Sequence, residues 1–184
     1  MSTVDEGMAP WLEERLFDQR IVLLQGPVTA AAASRAAASL LTLDALGTDP
    51  VRLHLSAADG DLTAAFAVID AIDAMRAPVH VLAVGEVGGA ALGVLAAGGK
   101  RLAYPHSRFR LSEPRLTGVA GTADEVAAAA GRYLRALEDL VLRIVDATGQ
   151  PRSRIEDDLA NQRVLSAEDA LGYGLVEEIA LPGR

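Results

Sequence analysis

Two short glycine-bearing segments are where this sequence could do chemistry. Ser56-Ala57-Ala58-Asp59-Gly60 and Gly85-Glu86-Val87-Gly88-Gly89 each follow an apolar run and precede a stretch of helix formers. In α/β chains, strand C-termini meet helix N-termini at such places, and ligand sites form there. Glycine lets backbone approach closely and leaves N–H groups free at a helix start. Two such turns facing each other could form an oxyanion hole. The same glycines also suit tight packing of helix on strand, so alone they assign nothing.

A reactive group would have to come from the side chains nearby. The chain has three histidines, His54, His80 and His106, and no cysteine. Thiolate chemistry and disulfides are therefore excluded. His106 and Ser112 lie six residues apart, about 20 Å along an extended strand, so they cannot hydrogen-bond within it. His80 lies five residues before Gly85, about 16 Å away by the same rise. His54, Ser56 and Asp59 form the single local cluster in which an imidazole, a hydroxyl and a carboxylate are close in sequence. A histidine on a subunit surface beside a polar turn explains that cluster as well. The acidic runs Glu156-Asp157-Asp158 and Glu177-Glu178 have no histidine at ligand spacing, so they read as solvated faces and no metal site is expected.

Composition limits the partners. The net charge is −8, from 25 acidic and 17 basic residues. Arg15, Arg20, Arg132, Arg135 and Arg143 are dispersed among acids such as Glu13, Glu14 and Glu138, as on ordinary helix faces. No basic face points to nucleic acid. The opening MSTVDEGMAPWLEE has neither a basic nor an apolar region of the signal-peptide kind. No uncharged apolar run reaches the roughly 18 residues needed to span a bilayer. The expectation is a cytoplasmic protein that binds neither membrane nor nucleic acid and needs no cofactor. The 184 residues suit one domain over 1–184, able to bury about 70% of the surface its unfolded chain exposes. The first ten residues are expected to be mobile.

Positioning elements can be read from the hydrophobic pattern. Strands are expected at 21–24, 51–55, 79–84, 101–104, 108–111 and 175–179. The run at 79–84 is apolar on both faces apart from His80, which suits a buried parallel strand. Polar loops are expected at 56–60 and 85–89. Helices are expected at 29–46, with Gly47 as terminating glycine, and at 61–75 and 90–97. The longest runs from the capping box Thr122-x-x-Glu125 to Gly149. Further helices should start at Ser153-x-x-Glu156 and at Ser166-Ala-Glu-Asp, the second ending at Gly172 or Gly174. Trp11, the sole tryptophan, is expected to anchor a first helix on the body or on a neighbour. Strands alternating with helices give an α/β class with a largely parallel sheet.

These motifs carry a resemblance. GEVGGAALGVLAAGGKR (85–101), followed by Tyr104-Pro-His-Ser-Arg108, is similar to the nucleophile segment of the Clp protease proteolytic subunits (ClpP), a G-x-x-x-S-x-x-A helix followed by K-R and P-N-S-R. LHLSAADGDLTAA (53–65) resembles that family's Y-I-N-S-P-G-G-V-I-T-A-G. Arg20-Ile-Val-Leu-Leu, Thr148-Gly149-Gln150, Leu165-Ser-Ala-Glu-Asp-Ala170 and Tyr173-Gly174-Leu175-Val176 fall in the family's order. The resemblance implies a crotonase-like spiral of ββα units with a protruding handle at about 111–148. It also implies self-association into a seven-membered ring, with stacking of two rings in the family.

Matched residue by residue, the resemblance places the family's nucleophilic serine on Gly89, its histidine on Ser112 and its aspartate on Gln162. Its first oxyanion glycine falls on Asp59, with Gly60 second and Ala90 following the nucleophile position. The tyrosine pair that lines the family's docking pocket for an unfoldase falls on Arg52 and His54, and its Arg-Asp pair at the ring junction on Asn161 and Gln162. Glycine carries no nucleophilic atom, and a serine hydroxyl cannot act as a general base at neutral pH. The implied function is a non-catalytic subunit similar to the ClpR class, joining catalytic paralogues and a Clp ATPase. Two alternatives stay open. One is a crotonase-like enzyme or binding protein for acyl thioesters, with Glu86 as base. The other is a residually active serine peptidase of the same family.

Overall fold

The described residues are 9–115 and 120–180 of a computed structural model. They begin with helix α1 (Pro10–Asp18), strand β1 (Ile21–Gln25) and helix α2 (Ala30–Leu46). Two further strand–helix steps follow: β2 (Val51–Ala57) with α3 (Leu62–Ala74), and β3 (Val79–Gly88) with α4 (Ala91–Ala96). Short strands β4 (Lys100–Ala103) and β5 (Arg108–Leu111) precede the long helix α5 (Ala123–Thr148). The chain closes with α6 (Arg152–Ala160), β6 (Arg163–Ser166), α7 (Ala167–Tyr173) and β7 (Glu178–Ile179). The expected α/β class holds. Strands run in the order β1-β2-β3-β4-β7, all parallel. No helix among the described residues is long and apolar enough to cross a membrane.

β3 corrects the expected loop at 85–89. Its first half, His80 to Ala83, pairs with β4, and its second half, Glu86 to Gly88, pairs with β5. Gly85 turns the strand at φ +70, a conformation that favours glycine. Past that turn, Gly88 runs so close to its neighbours that an added Cβ would lie 2.8 Å from the Ala58 carbonyl. The glycines thus let one strand serve two successive partners. β6, which the sequence pattern did not suggest, pairs antiparallel with β5. Its four residues are too few to show a period. The expected last strand shrinks to two residues, because the Leu175 and Val176 N–H groups both donate to the Ala170 carbonyl and close α7 instead.

Capping follows the sequence at two helices and departs from it at two. Thr122 and Glu125 form the reciprocal box that opens α5, and Ser166 and Asp169 form one at α7. Gly149 and Gly174 end those helices in the left-handed conformation. Gly47 does not, since its φ of 162 is extended. The chain there is held by the Arg20 guanidinium, which donates to the Gly47 carbonyl at 3.0 Å and the Asp49 carbonyl at 2.8 Å. At α6 the N-cap is Pro151 with no side-chain cap, and Glu156 accepts from Arg152 instead of capping with Ser153. Pro10 opens α1, inside the stretch expected to be mobile; residues 1–8 lie outside the described ones. Trp11 is 66% exposed, so it does not anchor α1 on this chain's body; Phe17 packs against the core instead.

Only one face of the sheet is covered. Along β2, Val51, Leu53, Leu55 and Ala57 are buried, while Arg52 is exposed and His54 and Ser56 are half-buried. The buried row joins Val22, Leu24, Val79, Val81 and Ala83 with α2, α3 and α4 in one core. Full burial of each such aliphatic side chain stabilises by about 1.5–3 kcal/mol. α5 buries only Leu140, Val141 and Ile144, all in its second half. Tyr133 is the first residue of α5 packed against this core, so residues 123–132 add no hydrophobic side chain to it, in a helix about 39 Å long at 1.5 Å per residue. Part of the expected handle, 116–119, lies outside the described residues.

Two outcomes follow. Gly60 forms a parallel bridge with Val28, and a Cβ there would lie 2.7 Å from the Val28 nitrogen. Gly60→Ala is expected to cost about 1–3 kcal/mol. Gly172→Ala, with nothing within 4 Å, should change stability by less than about 1 kcal/mol, on the favourable side. Thermal unfolding of both variants checks the contrast. For His54, burial first and the Arg52 charge second hold the imidazole below its ordinary value of 6.5. Folding thus favours the neutral ring, so its contribution is full above that value and lost as pH falls through the lowered one. His54→Gln should flatten the drop in melting temperature between about pH 7 and about pH 5, a window above the carboxylate titrations.

Candidate functional site

Asp59 and Gly89 face each other where β2 and β3 end. Ala57 pairs with Val87, beyond a register shift, so residues 57–59 run beside 87–89. Gly89 adopts φ +53, and a Cβ there would lie 3.4 Å from Asp59 Oδ1. That same oxygen accepts from the Gly60 N–H at 2.8 Å. The turn is pinned to β1's exit: the Val28 N–H donates to the Asp59 carbonyl at 3.1 Å, and the Asp61 N–H to the Val28 carbonyl at 2.9 Å. Asp61 also caps α3 through the Ala64 N–H, at 2.8 Å. Asp59 therefore presents its carboxylate beside the backbone of the second turn. Ala90, the next residue, is fully buried.

Strand register brings two more positions to this place. Gly88 pairs with Arg110 on β5, and Leu111 at the end of β5 pairs with Arg163 at the start of β6. Ser112 and Gln162 are the next residues out from that last pair. With strands about 4.8 Å apart, Gly89, Ser112 and Gln162 come to adjoining strand ends despite their separation in sequence. Ser112 is half-buried and Gln162 exposed. Gln162 holds φ 52, rare for a residue with a side chain. A glycine, a hydroxyl and a carboxamide offer no group that ionises near neutral pH. Asp59 is the nearest ionisable side chain to Gly89 that the contacts show, and no histidine pairs with it among the described residues.

The other candidates stand apart. His54 and Ser56 share the open face of β2 with Arg52, earlier along the strand, and no hydrogen bond joins His54, Ser56 and Asp59 among the described residues. His80 pairs with Arg52 in register. His106 is exposed in the turn between β4 and β5. Glu86 forms an ion pair with Arg110, which engages the carboxylate that a thioester enzyme would need as base. Among the described residues, no group of three or more histidine, aspartate or glutamate side chains could hold a metal ion.

One cluster near the site was not read from the sequence. The Tyr173 hydroxyl donates to Asp158 Oδ2 at 2.7 Å. Arg154 and Arg163 lie over the Tyr173 ring at 5.1 and 5.7 Å. Both also pair with Asp158, Arg163 at 3.2 Å and Arg154 at 3.9 Å. Burial, then the bond to Asp158 and its charge, push the phenol well above its ordinary value. The knot ties α6, β6 and α7 together around the turn that carries Gln162. Its members come from three elements, so no local spacing could have announced it. From α5, Tyr133 donates to the Pro114 carbonyl and holds the chain leaving Ser112.

Comparison with known proteins agrees with this geometry over nearly the whole chain. A family model described as Clp protease matches residues 7–182. The chain is 30% identical over 168 residues to the ATP-dependent Clp protease proteolytic subunit 2 of Streptomyces coelicolor, covering 90% of this chain and 77% of that protein. By these matches the chain belongs to the Clp protease family.

Proposed function

We propose that this chain is a non-hydrolysing subunit of a Clp-type ring, which contributes structure or regulation to an assembly whose peptide cleavage is done by catalytic paralogues. One observation carries the reading. Gly89, Ser112 and Gln162, which the resemblance matches to the family's serine, histidine and aspartate, converge at adjoining strand ends. Acyl transfer by a serine protease needs a nucleophile, a base to take its proton and donors aimed at the oxyanion. Here the first position has no side chain, and the second has no lone pair basic enough to accept a proton at neutral pH. The Asp59 carboxylate beside Gly89 would repel the developing oxyanion. In a comparable protease, losing the nucleophile or the histidine alone costs about a millionfold in turnover.

Assembly is supported by surfaces that this chain alone leaves uncovered. The first half of α5 carries Val126 and Leu134 exposed, the latter at 62%. A helix half without a partner of its own is marginal in water, so a neighbouring subunit would stabilise it. Ring formation, the handle at 111–148, pairing of two rings, recruitment of a Clp ATPase and a cytoplasmic location are all parts of this proposal. Asn161 and Gln162, in place of the family's charged junction pair, make ring pairing its least supported part. The thioester reading is weaker, because Glu86 is engaged by Arg110.

Labelling with a fluorophosphonate probe tests the reading. The purified chain should show no labelled serine and no peptide cleavage above background, under conditions where a catalytic paralogue is labelled. Labelling at one serine would instead make it a residual peptidase. Gly89→Ser alone should stay unlabelled, since Ser112 cannot take the proton. Combining Gly89→Ser, Ser112→His, Gln162→Asp and Asp59→Gly should restore labelling at position 89; failure of a folded quadruple variant would show that these positions do not form the site. Co-expression with a catalytic paralogue should yield mixed particles, read by native mass spectrometry.

A further inference from the structure

Two surfaces of opposite charge lie on opposite sides of this molecule. The first is a groove of about 650 Å³ on the outer side of α3 and α5. Phe66 and Leu142 give it apolar surface, and Asp70, Asp139 and Asp146 line it beside them. Leu142 is 42% exposed. The three aspartates are exposed, and none has an ion-pair partner among the described residues. Arg143, the cation among the lining residues, is already engaged: it donates to Asp73 Oδ1 at 3.1 Å.

The second surface lies on the far half of the sheet, beyond the Gly85 turn. Arg108 and Arg110 alternate along β5 with Phe109 and Leu111, which are fully buried, so the two arginines share the outward face. The register of β5 with β6 sets Val164 beside Arg110 on that face, and Val164 is 59% exposed. Arg110 is held by Glu86. Arg108 is exposed and has no carboxylate partner among the described residues.

We infer that a second copy of this chain seats this strip in the groove, with Val164 against Phe66 and Leu142 and Arg108 against the aspartates. Charge and polarity select this occupant. An apolar knob beside cations meets apolar surface beside carboxylates, and each side lacks neutralising partners of its own. Placement sets the geometry. Phe109 and Leu111 share one core with the buried faces of α3 and α5. Strip and groove therefore lie on opposite sides of that core, and one chain cannot bring its own two surfaces together. Pairing of the groove with itself across a two-fold axis would oppose like charges. The contact is thus head-to-tail, and such contacts pass from copy to copy and close into a ring when the rotation permits.

This inference rests on the ring-forming part of the proposed reading and names the surfaces of the seam. Sedimentation velocity of the purified chain, with native mass spectrometry for stoichiometry, tests it. The wild-type chain should form particles larger than a dimer, and added salt should weaken them. Arg108→Glu and Asp139→Lys should each raise the dissociation constant at least about tenfold, with circular dichroism unchanged. Asp70→Lys on α3 should act as Asp139→Lys does, while Asp18→Lys on α1 has no effect. Mixing the Arg108→Glu and Asp139→Lys chains should restore assembly, because each supplies the surface that the other has reversed. A monomeric wild-type chain overturns the inference, as does failure of the mixed variants to assemble. So does dissociation by Asp139→Lys but not by Arg108→Glu, since a different cationic segment would then fill the groove. Particles that survive both reversals overturn it too, yet leave ring formation standing on another seam. Fluorophosphonate labelling bears on the catalytic reading alone, so the readings fail separately.

Discussion

The division of β3 between two neighbours is the constraint on which the rest of the molecule depends. A parallel strand can satisfy one side of its backbone with only one partner at a time. Here β2 occupies one side of β3, while β4 and then β5 share the other. The handover falls at Gly85, and the second pairing carries the strand to Gly89 before the chain turns into α4. Because β5 in turn pairs with β6, the far half of β3 fixes the ends of three strands relative to one another. The candidate site is what those ends enclose. A β3 that stopped at residue 84 would leave β5 and β6 without a place in the sheet.

The near half of β3 has a different consequence. There the sheet is continuous from β1 to β7, and its helices pack on one side. The alanine-rich α2 and α3 let that side close tightly, with Ala33, Ala36, Ala64 and Ala65 buried against the strands. Little apolar volume remains to cover the other side, and α1 reaches only its β1 edge. The protein therefore presents one dry face and one open face from the same strands. Arg101 locks the dry side to the C-terminal segment, donating to the Ala147 and Leu175 carbonyls at 3.0 and 3.2 Å.

Much of this was legible in the residues, and what was not has physical reasons. The order of elements, both capping boxes and the two glycine turns follow from local chemistry. That chemistry acts over a few residues and leaves a trace within them. Motif order across the chain carried the family. The length of β3 was not legible, since a strand's end is set by whichever neighbour continues to pair with it, and β5 arrives some twenty residues later. β6 was missed for the same reason. Gly47 looked like a helix terminator of the left-handed kind, but its backbone is extended and the Arg20 guanidinium, from far off in sequence, holds the Gly47 and Asp49 carbonyls. That Gly89, Ser112 and Gln162 meet at adjoining strand ends was not legible, because it required the register of two ladders.

The backbone at Gly89 has one more consequence. It holds a left-handed conformation that costs an L-residue about 1–2 kcal/mol and costs glycine nothing. An enzyme that keeps a reactive side chain on such a turn carries that strain as a standing load on its native state. This chain keeps the turn and is free of the load. Glycine at this position leaves the turn relaxed. In thermodynamic terms, glycine is the lower-energy occupant of this turn.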